Sequence, residues 1–320
     1  VHLHCPMISW ATPQFHRCIQ NIAPVVSSLH GSWLGERDGL LEASMAKEAA
    51  VWANVNDIAI RFTAERYAKF ENIAIRESSI CVANSRATRA DFESRYNPPP
   101  NWDCEVVHWG VDTEMFRPLD IENEQENRNF TEIRTRFGAV SPGSKLLLAV
   151  GRLAARKGYG TLIRGFSALN KEMPNTKLVI VGRGHLKRRL MRLAKSLGVG
   201  EDITIESSLS FAELAQLYRS SDLVVYPSFY EGQGLIPLEA MASGVPVVTV
   251  DHGPLPEMVD ESVGALFTMG NIESMVSVMK EVLKAGRKKG EKGRARVLQK
   301  FTYSGNAESF ENIYLEAINR

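Results

Sequence analysis

No run of apolar residues in this sequence approaches the roughly 20 needed to span a bilayer, and no signal peptide opens it. Neither a membrane span nor a secretory leader is expected. Cysteine is scarce. The four, Cys5, Cys18, Cys81 and Cys104, are scattered without CxxC spacing. That argues against a disulfide framework or zinc module and makes a reducing cytoplasm the default. His2, His4 and Cys5 stand together, but no second cluster at ligand spacing accompanies them, so no metal site is expected. An excess of one charge is lacking too: the formal net charge is +1, which gives no case for nucleic acid as a partner. No internal repeat of solenoid period is present. Val1 stands where an initiator Met would, and Val1-His2-Leu3-His4 is already extended in character. The expectation is a fragment or a processed product.

What is present is an ordinary globular chain. Its 320 residues are 44% hydrophobic and 23% charged, and suffice for two domains of usual size or one large one. From Leu146 onward, short apolar runs alternate with amphipathic stretches. Leu146 to Val150, Leu178 to Val181, Ile203 to Ile205 and Leu223 to Tyr226 read as strands. Leu162, Ile163, Phe166 and Leu169 share one helical face, and Leu186, Leu190, Leu193 and Leu197 another. Ser210 and Glu213 form a capping box, and Asn271 or a neighbour caps the helix of Ile272, Met275, Met279 and Leu283. Earlier, Val25 to Leu29, Ile80 to Ala83 and Glu105 to Val107 are strands, with Leu41 to Arg61 and Ala87 to Tyr96 helical and Ser85 an N-cap. Such alternation predicts α/β domains with doubly wound parallel sheets. Leu119 to Asn129 is polar, rich in Glu and Asn, and reads as a linker or exposed loop; helix character returns at Thr131 to Phe137.

The most informative stretch is Glu231 to Gly244, EGQGLIPLEAMASG. It follows a buried strand and the turn at Pro227-Ser228. Gly232 and Gly234 let the backbone approach something closely, Pro237 suits the first turn of a helix, and Gly244 ends it. A helix opening at Gly234–Pro237 is a ready anion site. Glu231 and Glu239 flank it. Carboxylates repel an anion, so the hydroxyls of a diol are their natural partners. The residues alone leave a second reading open: Glu239 as an N-terminal helix charge and Glu231 as a solvated turn residue.

Glu231 and Glu239 have E-x7-E spacing, set in PSFYEGQGLIPLEAMASGVPVV. This resembles the signature of retaining, nucleotide-sugar-dependent glycosyltransferases of the GT-B fold, family 4 (glycosyl transferases group 1). The resemblance covers nearly the whole chain. It implies two facing Rossmann-like domains, the N-terminal one incomplete because the usual first strand and glycine-rich loop are absent. The expected organisation is a partial acceptor-side domain over 1–118, a linker over 119–138, a nucleotide-sugar-binding domain over 139–300 and a crossover helix over 301–320. Trp109-Gly110-Val111-Asp112 and Phe116-Arg117-Pro118 resemble the family's N-G-V-D…F-x-P element, with Trp109 where Asn is common. An indole cannot copy an amide's hydrogen bonds, which puts a polar role there in doubt.

A second stretch, Val150-Gly151-Arg152-Leu153-Ala154-Ala155-Arg156-Lys157-Gly158, leaves a strand at the sheet edge where open α/β folds bind ligands. Arg152, as a bidentate fork, and Lys157, as a point charge, can clamp a diphosphate there; a solvated loop is the other reading. The stretch matches the family's G-R-L…K-G motif, whose Arg and Lys hold the donor diphosphate; Arg156 is not carried over. By resemblance, Glu239 holds the ribose, Glu231 the donor sugar, and the backbone N–H groups of Gly234 and Leu235 the phosphate. Gly232 lies beside them, and Gly182-Arg183-Gly184 borders the base. His30 ends a strand as His30-Gly31-Ser32, either as a packing histidine or, by resemblance, in the cleft near the transferred sugar with Trp33 beside it.

The resemblance thus implies a hexosyltransferase moving a sugar from a nucleotide-diphosphate donor to a sugar, lipid-linked or small-molecule acceptor in polysaccharide or glycoconjugate biosynthesis. Retention of configuration is implied, with no resident cofactor. No DxD metal motif is found, so Arg152, Lys157 and the helix N-terminus stand in for a metal, and the fragment is expected to be poorly active. The alternatives are a nucleotide-sugar-binding module without turnover, or a GT-B epimerase. The basic stretches Lys187 to Lys195 and Lys284 to Lys292 read as solvated helix faces, with weak association at a membrane surface the minor reading. A cytoplasmic enzyme, at most peripheral to the membrane, is expected.

Overall fold

The computed structural model describes residues 1–4, 12–19, 22–48, 54–207 and 209–320. Of the residues singled out in the sequence, Cys5 and positions 49–53 of the stretch Leu41 to Arg61 lie outside the described residues. The first part of the chain runs β1 (His2–His4), α1 (Thr12–Ile19), β2 (Val26–Leu29), α2 (Trp33–Met45), α3 (Val55–Glu77), β3 (Ile80–Ala83), α4 (Arg86–Tyr96) and β4 (Cys104–Val106). These strands form one parallel sheet in the order β1-β2-β3-β4. Along β3 the two-residue period sorts side chains between faces. Cys81 and Ala83 pack with Leu29, Phe92 and Tyr96, whereas Ile80 and Val82 pack with Val26, Ile313 and Ala317.

After α5 (Glu124–Arg136) come β5 (Lys145–Val150), α6 (Tyr159–Glu172), β6 (Thr176–Val181), α7 (Lys187–Ser196), β7 (Ile203–Glu206), α8 (Phe211–Ser220), β8 (Leu223–Tyr226) and α9 (Leu235–Ala242). Then follow β9 (Val247–Val250), α10 (Leu255–Met258), β10 (Gly264–Phe267), α11 (Ile272–Ala285), α12 (Lys288–Lys300) and α13 (Tyr303–Asn319). The second sheet is parallel and six-stranded, ordered β10-β9-β8-β5-β6-β7. Its central strands are almost wholly apolar, Lys145 at the start of β5 and Thr249 in β9 apart, as burial on both faces requires. The chain winds outward from β5 through β6 and β7, then returns to lay β8 against the other side of β5. The crevice between the carboxyl ends of β5 and β8 is therefore the topological switch point, where such sheets bind ligands.

The expected caps form. Ser85 accepts the N–H of Thr88 at 2.9 Å, Ser210 and Glu213 complete the capping box, and Asn271 accepts the N–H of Ser274 at 2.9 Å. Helix α13 returns to the first sheet through Ile313 and Ala317. One stretch departs from expectation. Residues 124–129 are helical rather than loop, because Asn123 caps α5 by accepting from Gln125 and Glu126 at 3.0 and 3.2 Å. None of the residues of α5 is buried, so no apolar stripe marks its first turns in the sequence. Its acidic first turn and its Arg134 and Arg136 in the last suit the helix dipole instead.

Carboxylates tie the two halves together by capping each other's helices. Glu48, from the first half, accepts from the N–H groups of Gly160 (2.9 Å) and Thr161 and from the Thr161 hydroxyl (2.6 Å) at the start of α6. Glu257, from the second, accepts from Arg86 (3.0 Å) and Ala87 (2.8 Å) at the start of α4 and pairs with His108 at 2.9 Å.

Candidate active site

Gly151 leaves β5 with φ +140°, a conformation that favours glycine, and Leu153 to Gly158 then fold back through a short 3-10 turn at Ala155–Lys157. Lys157 is thereby turned inward, where its ammonium meets Glu231 in an ion pair and donates to the Tyr226 hydroxyl at 3.0 Å. Three donors converge on the same oxygen of Glu231: Lys157, the Tyr226 hydroxyl at 2.7 Å and the Ser228 hydroxyl at 2.6 Å. Burial alone would raise the Glu231 pKa. The charges of Lys157 and Arg156 and the bonds from Lys157 and Ser228 outweigh it and hold the carboxyl below its ordinary range. Burial draws the Lys157 ammonium down, opposed by Glu231. The pair is ionised at neutral pH because each charge is the other's main compensation.

Arg152 is exposed at the mouth of this crevice, close enough for its charge to act on Lys157 and on Asp57. Gly234, with φ +102°, opens α9 without any side-chain cap, so the helix presents free N–H groups from Leu235 onward. A Cβ on Gly234 would stand 3.5 Å from the Tyr226 ring, which places this helix end over the same tyrosine that touches Lys157 and Glu231. About one turn along the helix, Glu239 accepts from the Tyr218 hydroxyl at 2.7 Å. Burial pushes its pKa up to about 7, the Tyr218 bond opposing.

His30 ends β2 in the facing half. Burial, and then the charge of His4, pull its pKa down to about 4, so the ring is neutral at pH 7. Its Nδ1 is buried without a hydrogen-bond partner among the described residues. The Trp109 ring lies 4.6 Å from it, centroid to centroid, whereas Trp33 stacks on Tyr67 at 4.8 Å. Among the described residues the rings against His30 are therefore Trp109 and His4, the latter at 5.9 Å, while Trp33, expected beside it, lines the same cavity without ring contact. The polar work at position 109 is done by the backbone: its N–H donates to the Gln233 amide oxygen at 2.7 Å, and its C=O accepts from the Gln233 amide nitrogen at 3.1 Å.

Gly232 touches the His30 carbonyl so closely that a side chain would collide with it. Its own carbonyl accepts from the hydroxyls of Ser85 (2.6 Å) and Thr88 (2.9 Å). Ser85 is thus an N-cap and a tie between the halves at once. A cavity of about 180 Å³ lies here, lined by His30, Trp33, Glu36, Arg156, Glu231 and Gly232 among others. A larger one of about 510 Å³ opens on another face of Tyr230 and Glu231, against α2 and α4.

The structure therefore gathers Arg152, Lys157, Glu231, Gly232, Gly234, Leu235 and His30 about one crevice, with Glu239 reaching it along α9. Arg183 does not join them. Its side chain is exposed and donates to the Ser207 carbonyl at 2.9 Å, although its backbone carbonyl accepts from Leu153 at 2.9 Å. Arg156, set aside in the sequence, stands in the small cavity, pairing with Glu36 at 2.9 Å and donating to the Tyr230 carbonyl at 3.3 Å. In the sequence Tyr226 is marked only as the end of the strand from Leu223, and Tyr218 carries no signal that singles it out. Among the described residues no three His, Cys, Asp or Glu side chains gather in a way that could hold a metal ion.

Residues 131–296 match the profile of the family described as glycosyl transferases group 1, and residues 1–115 that of glycosyltransferase family 4. The chain belongs to the glycosyl transferases group 1 family. This family 4 chain is 30% identical over 255 residues to the D-inositol 3-phosphate glycosyltransferase of Segniliparus rotundus, covering 78% of its own length and 54% of that protein's. It is 31% identical over 227 residues to the GDP-mannose-dependent alpha-(1-6)-phosphatidylinositol monomannoside mannosyltransferase of Mycolicibacterium smegmatis, covering 68% and 56%. The chain spans about half to three fifths of the length of these curated relatives.

Among solved structures, Anabaena HepE in complex with UDP and glucose superposes with a TM-score of 0.71 at 19% identity, over 92% of this chain and 72% of that one. A glycosyltransferase from Rickettsia africae gives 0.68 at 16%, over 99% and 97%. Likeness at such identities shows the fold, which is GT-B: two parallel-sheet α/β domains facing each other across a cleft.

Proposed function

We propose that this family 4 chain carries the donor site of a glycosyltransferase that moves a hexosyl group from a nucleotide-diphosphate sugar to a hydroxyl acceptor with retention. The observation that carries the reading is the convergence of Lys157, Glu231 and the uncapped start of α9 on Tyr226, at the switch point between β5 and β8, with Arg152 at the mouth. Curated relatives named as glycosyltransferases, one of them GDP-mannose-dependent, and a fold neighbour bound to UDP and glucose support a nucleotide-sugar donor.

In this mechanism the diphosphate sits on the α9 N-terminus, with Arg152 and Lys157 on its oxygens. Lys157 shares its charge between Glu231 and the phosphate. The other Glu231 oxygen, which no described residue bonds, accepts from hydroxyls of the donor sugar, and Glu239 accepts from the ribose diol. As the bond from the anomeric carbon to the diphosphate oxygen breaks, both electrons stay with the diphosphate and the sugar becomes oxocarbenium-like. The acceptor hydroxyl attacks the same face, and its proton passes to the departing phosphate oxygen. Fixed positive groups aimed at the leaving group stabilise the charge that develops, without reorganising during the step.

The test is donor hydrolysis and transfer by wild type, Lys157→Ala and Glu239→Ala. Loss of the Lys157 charge should lower kcat about 10²–10³-fold, or about 2.7–4 kcal/mol. Glu239→Ala should act mainly on nucleotide affinity. Equal binding and turnover in all three removes this site assignment; tight donor binding without transfer in any favours a binding module.

A further inference from the structure

Charge is balanced in the small cavity. Glu231 is engaged by Lys157, and Glu36 on α2 by Arg156 from the facing half at 2.9 Å. Arg156 is 12% exposed and Glu36 25%, so solvent screens this pair weakly. The cavity volume of about 180 Å³ equals about six waters at about 30 Å³ each, room for a single sugar ring. Around it stand hydroxyl-reading groups: the two carboxylates, the His30 ring and the Trp33 indole. Trp33 Nε1 and His30 Nδ1 are both buried without a hydrogen-bond partner among the described residues. A negatively charged sugar entering here finds the charge of Arg156, the lining cation among the described residues, already engaged by Glu36, and two carboxylates facing it. Taking its charge out of water without a free counter-charge is costly.

We propose that the Glu36–Arg156 pair makes this pocket selective for an uncharged hexosyl group on the donor and against a uronosyl group. The inference rests on the donor reading above and adds a specificity-determining pair to it. Glu36 acts by repulsion and by occupying Arg156, so the discrimination lies as much in what it rejects as in what it binds.

The test titrates the whole 320-residue chain with matched pairs that differ in sugar charge: UDP-glucose with UDP-glucuronate, and GDP-mannose with GDP-mannuronate. Wild type should bind the neutral member of one pair at least about tenfold more tightly. Glu36→Gln frees Arg156 and should shrink that ratio by about tenfold or reverse it, whereas Glu36→Asp restores the wild-type preference. Arg156→Gln should move the ratio the other way, so the result does not hang on one variant's folding, which a thermal melt checks. Equal affinity of wild type for both members of a pair, or an unchanged ratio in Glu36→Gln and Arg156→Gln, overturns the inference alone. Binding of none of the four donors overturns the donor reading and this inference with it.

Discussion

A Cβ on Gly35 would stand 2.5 Å from Cε2 of Tyr230, so the ring of one half lies directly on the helix backbone of the other. Gly31 and Gly39 border the same ring, and the Tyr230 hydroxyl accepts from the Ser32 N–H at 2.6 Å while donating to the Ser32 carbonyl at 3.1 Å. The residue next to Glu231 is thus a wedge that fixes the loop carrying it. Gly35→Ala should destabilise the protein by about 1–3 kcal/mol through overpacking, read as a lower urea midpoint. Donor affinity should fall with it, because Glu231 moves with the wedge. An unchanged midpoint would mean that the ring sits loosely.

The Lys157–Glu231 pair makes a second prediction. Lys157→Met strands a buried carboxylate and should cost about 3–5 kcal/mol of stability. Adding Glu231→Gln should recover much of that loss, since the orphaned charge goes too. A double-mutant cycle by chemical denaturation measures the coupling, and simple additivity of the two costs would deny the pair its importance.

For Glu239 the sign follows from its pKa of about 7, above the ordinary carboxyl value. The native state holds the proton more tightly than the unfolded chain. This contribution to stability is full below the unfolded pKa and is lost as pH rises toward about 7. A ribose diol prefers the ionised carboxylate, so nucleotide-sugar affinity should climb across the same window. Calorimetric titrations from pH 6 to 8, with Glu239→Gln as the flat control, decide it; equal slopes in both proteins would remove Glu239 as the diol ligand.

Glu71 supplies a fold-only counterpart. It is fully buried, bonded by the Tyr96 hydroxyl and by the Trp33 N–H at 3.1 Å, and burial pushes its pKa up to about 8. Stability should therefore fall as pH rises from the ordinary carboxyl range to about 8, by at most about 1.4 kcal/mol per pH unit. Glu71→Gln should be the more stable protein at pH 9, by thermal melting, and lose that slope. A wild-type curve without the slope would place the ionised carboxylate comfortably in the fold.

Much of the architecture was legible because it rests on local signals. The apolar runs at Leu146 to Val150 and Leu223 to Tyr226 became central strands, and the caps at Ser85, Ser210 and Asn271 formed as read. Helix α5 was half missed, since a helix that buries nothing writes no stripe into its sequence. Arg156 was missed because spacing cannot say which of three neighbouring cations a 3-10 turn sends inward. The contact of Trp109 with His30 was missed for a similar reason: ring contacts depend on which loops meet, and those loops are far apart in sequence.

The sequence by itself determined two parallel α/β halves and most of the residues that line the crevice, because strand period, helix caps and the glycine-flanked glutamates are properties of short segments. Only the tertiary structure decided how the charges are matched. It joined Lys157 to Glu231, Arg156 to Glu36, and Glu239 to Tyr218. A charge is buried only where the fold brings it a partner, and the partners here come from opposite ends of loops or from opposite domains.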